Sequence, residues 1–443
     1  MSPLGIEPLR PAFLLRDYFA NLYWTYAIAA TAGPARMKGP RYCYQDDMTS
    51  SSAIVSSTDF PLPERLLSFS VEEILPQLSD KLRAWPRTPE MVRYALHLIG
   101  AHADKATGLA TVNARAFCRV AGRRYGHAIL NELRALGYIA SDGKYVPGVS
   151  SKRYRLTARA KALPLGLIDA SPSVSRRIRE MRDEKNADTL ARAPGAKVIF
   201  DDLARFSFPG DCELNHVLAE LRAERPHAAP YHQFVVDQFT RRHFFIASSS
   251  TGRIFHNLAN MPKRIRPFLH VDGEPCAEVD IAACQATLML SFYPSGCRER
   301  DAYAEVIRTD LYQYLAHEIE RSTGKIVTRD RVKERWLTQV FGLDKHRKEV
   351  WAILARDFPI LCQTLDSIRS DDYRKVAFRL QRMEAELVIG KIVPRLKADC
   401  GDVGLSTVHD SLICARRIAQ QVAVVMRDTL HAALGVEALV RIK

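Results

Sequence analysis

Residues 277–290, AEVDIAACQATLML, constrain this chain more than any other stretch. Ala277 to Ile281 read as a short buried strand with Asp280 near its end, and an apolar helical run begins at Cys284. A carboxylate in an apolar strand costs free energy unless a partner or a bound cation compensates it. Taken alone, Asp280 reads as a helix N-cap on a strand-to-helix turn. Three further stretches bear on the choice.

The first is TGRIFHNLANMPKRIRPFL (251–269), a turn presenting Arg253 followed by Asn257 and Asn260 around Leu258. Arginine and amide side chains beside a duplex contact phosphates and minor-groove acceptors without strong sequence readout. By itself the stretch is a polar loop. The second is TRDRVKERWLTQVFG (328–342), where Arg329, Lys333, Leu337 and Phe341 lie four residues apart and form one helical stripe. From Arg329 to Phe341 is roughly 18 Å at ~1.5 Å per residue. Two cations followed by an aromatic suit a triphosphate at one end and a base at the other. The plainer reading is an amphipathic surface helix stopped at Gly342. The third is LSTVHDSLICA (405–415), a strand–turn–strand with His409-Asp410 at the bend, which places a second carboxylate on a hairpin. Two carboxylates on adjacent strands can hold two divalent ions ~3.5–4 Å apart, as in-line phosphoryl transfer requires.

In this order the stretches resemble family-A DNA polymerases, the DNA polymerase I type, and their relatives the single-subunit phage RNA polymerases. TGR with NLANMP resembles the family-A block TGR…NLQNIP. EVDIAACQA resembles motif A. Arg329, Lys333, Phe341 and Gly342 have the spacing of motif B, and VHDS resembles motif C. RLQRMEAELV (379–388) resembles the segment that supplies a template-contacting Gln, here Gln381. The match covers about residues 245–443. It implies that Asp280, Asp410 and the backbone carbonyl of Ile281 hold two Mg²⁺ ions, with Mn²⁺ as a substitute. It also implies that Arg329 and Lys333 grip the incoming nucleoside triphosphate, with Lys333 counted among the catalytic residues, and that Phe341 stacks beside the nascent pair. Arg253, Asn257, Asn260, Gln381 and His409 then face a DNA primer–template. Residues before Thr251 serve as a reduced thumb, and those at about 300–375 as compact fingers.

The chain departs from the family pattern at three places. Gln285 stands where the DNA enzymes carry a Glu that closes the site against a ribose 2′-hydroxyl; Gln is nearly as large, whereas the RNA enzymes carry a small residue. Phe341 replaces a Tyr, and HDS replaces HDE, which is closer to the RNA enzymes. The sugar preference therefore stays open, with bulky Gln285 and the TGR…NLANMP block favouring deoxynucleotides. No proofreading exonuclease motif is evident.

A net charge of +14 points to a polyanionic partner, nucleic acid before membrane. Nine scattered cysteines without a CxxC pair indicate neither a zinc module nor a disulfide framework and fit a reduced, cytoplasmic protein. The apolar run at 18–32 is too short and polar for a membrane span, and nothing in the sequence sets an oligomeric state.

Residues 1–60, with Gly-Pro dipeptides and the run DDMTSSSAIVSST, read as a loosely ordered extension, in which 14–30 can form a docked helix. Residues 61–165 read as a winged-helix module: helices at 89–103, 113–121 and 125–136, then YIASDGKYV (138–146) with Asp142-Gly143 as a type I′ hairpin turn, then a closing strand at 152–157. Arg123, Arg124, Lys152 and Arg153 sit where such a module meets phosphates and a groove, although a winged helix also serves protein contacts. Residues 166–245 read as a helical, thumb-like region, including a charged helix at 175–186, and 246–443 as palm and fingers.

The expected architecture is thus α+β, a right-hand polymerase palm with helical fingers and a reduced thumb, preceded by a winged helix. The expected reaction is template-directed nucleotidyl transfer, as a DNA-directed DNA polymerase. Two rivals remain: an RNA polymerase or primase on the same palm, and a catalytically idle palm in a DNA-binding replication-initiation protein.

Overall fold

A computed structural model of the 443-residue chain describes residues 62–103, 107–143, 152–210, 212–224 and 228–443. The expected extension over residues 1–60 lies outside them. Helices and strands are mixed, and two compact units are present. One contains residues 62–100, 110–143 and 152–179; the other contains 101–103, 107–109 and the described residues from 180 to 443. Among the described residues no helix is long and apolar enough to cross a membrane.

In the smaller unit, helix Thr88–Ala101 is followed by strand Ala110–Thr111, helices Ala114–Ala121 and Arg123–Ala135, and strands Ile139–Ser141 and Arg153–Leu156. Asn113 caps its helix by accepting from the N–H groups of Arg115 and Ala116 at 3.0 and 3.1 Å, which explains why the predicted start at Asn113 is one residue early. The next two helices meet closely at Gly126, where an added Cβ would stand 2.8 Å from Cys118 Sγ. Arg153–Leu156 is the central strand of three, between Ala110–Thr111 and Ile139–Ser141. A second pair, Arg65–Phe69 with Leu165–Asp169, brings the start and end of this module side by side.

The register corrects one expectation. A two-residue turn at Asp142-Gly143 would pair residues 138–141 with those immediately following, yet Ile139, Ala140 and Ser141 pair with Leu156, Arg155 and Tyr154. Asp142 instead accepts from Arg153 Nε at 2.7 Å. The predicted strand at 144–146 lies outside the described residues.

The larger unit holds a two-stranded pair, Ile246–Ser248 with Ile254–His256, and a six-stranded sheet. The strands of that sheet run, in spatial order, Leu405–Val408, Ser411–Ala415, Glu274–Ile281, His270–Val271 and Phe206–Ser207, and Val440–Ile442 also pairs with Glu274–Ile281. The strand carrying Asp280 is longer than the predicted 277–281, because Pro275 and Glu274 continue it against His270 and Val271. Val279, Ile281, Leu412 and Cys414 are fully buried in the core. The predicted charged helix extends to Pro172–Arg192, as no breaker interrupts the run before Pro194. Helix Arg329–Phe341 ends where the backbone turns extended at Gly342, a position that excludes a side chain because a Cβ there would run into the Thr338 carbonyl oxygen. Buried Arg369 reinforces that end, donating to the carbonyls of Val340 and Gly342.

Candidate active site

Asp280 is the seventh residue of strand Glu274–Ile281, and Asp410 lies in the turn that joins Leu405–Val408 to Ser411–Ala415. Asp280 pairs with Ser411, the residue after Asp410, and the Ile281 N–H donates to the Asp410 carbonyl at 3.4 Å. Residues 130 positions apart in sequence are thereby brought to one end of the sheet. Each carboxylate has a left-handed, non-glycine neighbour: Ala283 at φ 51° and His409 at φ 59°. Such conformations cost on the order of 1–3 kcal/mol and persist only where the surroundings impose them.

The two carboxylates differ in environment. Asp280 accepts from Lys443 Nζ at 2.7 Å. Asp410 is pushed up to about 7, first by burial and then by the Glu384 and Asp280 carboxylates, against the pull of Arg253. The same groups surround the Cys284 thiol, which burial and then Asp410 and Glu384 push well up. His409 meets Phe255 edge-on with ring centres 5.5 Å apart, and burial, followed by Arg253 and Arg266, pushes it down to about 3, so its imidazole is neutral.

Helix Arg329–Phe341 delivers its two cations over one ring. The Arg329 guanidinium lies 5.3 Å and the Lys333 ammonium 5.8 Å from the centre of Tyr312. Arg329 Nε also donates to Asp310 at 2.6 Å, and Arg441 lies 3.5 Å from the same carboxylate. Burial raises the Asp310 carboxyl, but Arg329 and the N–H groups of Gln313 and Tyr312 outweigh it, and the net shift is downward. Burial pushes the Tyr312 phenol up, and after the opposing pull of Arg329 the Asp410 and Asp310 carboxylates add to the rise.

Several expected contacts turn inward. Arg253 is 8% exposed and ion-pairs with Glu384, itself 1% exposed. Buried Asn257 closes a neighbouring loop, accepting from the Phe245 N–H at 3.0 Å and donating to the His243 carbonyl at 3.1 Å. Buried Gln381 accepts from Thr251 Oγ1 at 3.4 Å. Phe341 is buried with its ring edge-to-face on Trp336 at 5.3 Å, so in this conformation it packs in the core and offers no open face to a base. Asn260 is exposed, and Gln285 is half-buried in the first turn of helix Cys284–Leu288. In the smaller unit Arg123, Arg124 and Lys152 are exposed; Arg124 lies 5.6 Å from the Tyr125 ring centre, while Arg153 is tied to Asp142.

The sequence reading missed Glu384, Tyr312, Asp310 and Lys443. Only Glu384 had a local signal, three residues after Gln381 and so on the same helical face.

The oxygen donors fit a hard divalent cation. Among the described residues no three His, Cys, Asp or Glu side chains form a metal cluster. Mg²⁺, however, keeps several waters and needs only one or two carboxylates beside substrate phosphates, which Asp280 and Asp410 supply, and the crowding that lifts Asp410 is what a cation would relieve.

No family model matches the chain, and no curated protein does. Among solved structures it is similar to the polymerase domain of Pol1 from M. smegmatis in complex with DNA primer-template and dNTP, with 16% identity and a TM-score of 0.35 over 60% of this chain. It covers 65% of that structure, just under two thirds of its length.

Proposed function

We propose that this protein is a template-directed nucleotidyltransferase, a DNA polymerase that extends a DNA primer with deoxynucleoside triphosphates. The observation that carries the reading is the meeting of Asp280 and Asp410 across the Asp280–Ser411 pairing, in a unit whose helix Arg329–Phe341 gathers Arg329 and Lys333 over the Tyr312 ring. Asp280, Asp410 and the Ile281 carbonyl would hold two Mg²⁺ ions, or Mn²⁺ in their place. When bound, such ions acidify a 3′-hydroxyl and offset charge on the phosphorus oxygens.

The chain's own residues do the remaining work. Arg329 and Lys333 present adjacent cations to a triphosphate, and Asp310 and Tyr312 fix their positions. Neutral His409 packs beside Asp410 without adding charge. Gln285, in the first turn of helix Cys284–Leu288, would crowd a ribose 2′-hydroxyl. In this reading the six-stranded sheet of the larger unit is the palm, the helices between its strands are the fingers, and the smaller unit is a winged helix that meets DNA through Arg123, Arg124 and Lys152.

The test is extension of a labelled DNA primer on a DNA template with Mg²⁺, run with dNTPs and with NTPs, wild type beside Asp280→Ala. Extension with dNTPs that Asp280→Ala abolishes is the expected result. Extension with NTPs alone moves the protein to the RNA-polymerase side. DNA binding without extension in either set makes it an idle palm.

A further inference from the structure

We propose that Glu384 holds Arg253 off Asp410 and so keeps the Asp280–Asp410 pair open to a divalent cation, an inference that rests on the polymerase reading of that pair. Three consecutive residues of the turn dock on one face of helix Lys375–Leu387. Thr251 bonds Gln381, a Cβ on Gly252 would stand 3.5 Å from that of Ala385, and Arg253 pairs with Glu384. The strand that follows this docked turn runs beside the Asp410 hairpin, with Phe255 edge-on to His409 at 5.5 Å and His256 Nε2 at 2.9 Å from the Thr407 carbonyl, so the buried guanidinium lies near enough to lower the Asp410 carboxyl.

A buried arginine pairs with a carboxylate in reach, and leaving either partner alone is strongly unfavourable. Glu384 and Asp410 are two acids that bear on Arg253. Pairing with Asp410 would fix a cation where the metal must bind; pairing with Glu384 neutralises the guanidinium and leaves Asp410 to the metal. One Glu384 oxygen takes Arg253, while Oε1 is buried with no hydrogen-bond partner among the described residues. Nor does Glu384 complete a three-residue metal cluster. It is a positioning residue that acts through Arg253.

The test measures Mn²⁺ binding to the full chain without nucleic acid, from the paramagnetic resonance signal of the free ion, alongside the Mg²⁺ dependence of primer extension. Glu384→Gln keeps the shape and removes the charge. It is expected to weaken Mn²⁺ binding about tenfold and to raise the Mg²⁺ needed for half-maximal extension similarly. The double variant Arg253→Met with Glu384→Gln, which removes the intruding cation too, is expected to return to within about threefold of wild type. Glu384→Asp, which keeps the charge, stays near wild type and guards against misfolding as the cause.

Wild-type Mn²⁺ affinity in Glu384→Gln overturns the proposal, as does a double variant as weak as the single. A salt slope of DNA affinity that falls by about one in Arg253→Met shows Arg253 on a phosphate and also overturns it. If the wild type extends no primer, the polymerase reading fails while the Mn²⁺ arm still decides this inference. A wild type that binds no Mn²⁺ overturns both.

Discussion

Asp280 and Asp410 are the same residue type at the same end of one sheet, yet they meet opposite conditions. Asp280 already has a counter-charge in the Lys443 ammonium. Asp410 faces two other carboxylates in a half-buried turn and is lifted to about 7. One acid is balanced by the protein, and the other is left for something else to balance. In a cation site this asymmetry separates holding the ion from drawing it in.

The largest effect expected is on catalysis: Asp410→Ala should lower primer extension about a thousandfold or more while leaving DNA affinity within about twofold, read by gel shift. Equal activity in that variant would remove Asp410 from the chemistry. The next is on stability. A carboxylate lifted from ~3.9 unfolded to about 7 folded binds more protons in the native state, so metal-free stability falls as pH rises between those values. Asp410→Asn should therefore stabilise the metal-free protein by roughly 1–3 kcal/mol at pH 8 and by nearly nothing at pH 4, in denaturant melts. For the same reason Mg²⁺ should raise the melting temperature more at pH 8 than at pH 6.

Asn257→Ala should destabilise by about 1–3 kcal/mol, since two buried backbone groups lose their partner, without altering the salt dependence of DNA binding. A changed salt slope would restore the nucleic-acid role. Smallest is Lys443→Met, which should lower the Mg²⁺ needed for half-maximal extension about threefold by removing a partly exposed competitor.

What the sequence made legible was local. Apolar alternation predicts the strand at Asp280 and the hairpin around His409-Asp410, and four-residue spacing predicts helix Arg329–Phe341. What it concealed was which polar residues turn inward. Arg253, Asn257 and Gln381 look like surface side chains, because the partner that buries Arg253 lies 131 residues away. The Asp142-Gly143 signal failed for a related reason: a long-range pairing with residues 154–156 took the strand that a local turn would have used. The roles of the metal-site and nucleotide residues rest on motif likeness together with this geometry.

The pairing of Ala277 with Cys414 and of Asp280 with Ser411 closes over an excursion that leaves the sheet after Ile281 and returns at Leu405. Contacts of that separation form late, because the loop entropy must be met before the strands reward it. Every partly folded form that has not closed this pairing lacks the carboxylate centre entirely. During refolding, metal binding should therefore appear only with the final cooperative phase, after most of the helical signal has already returned.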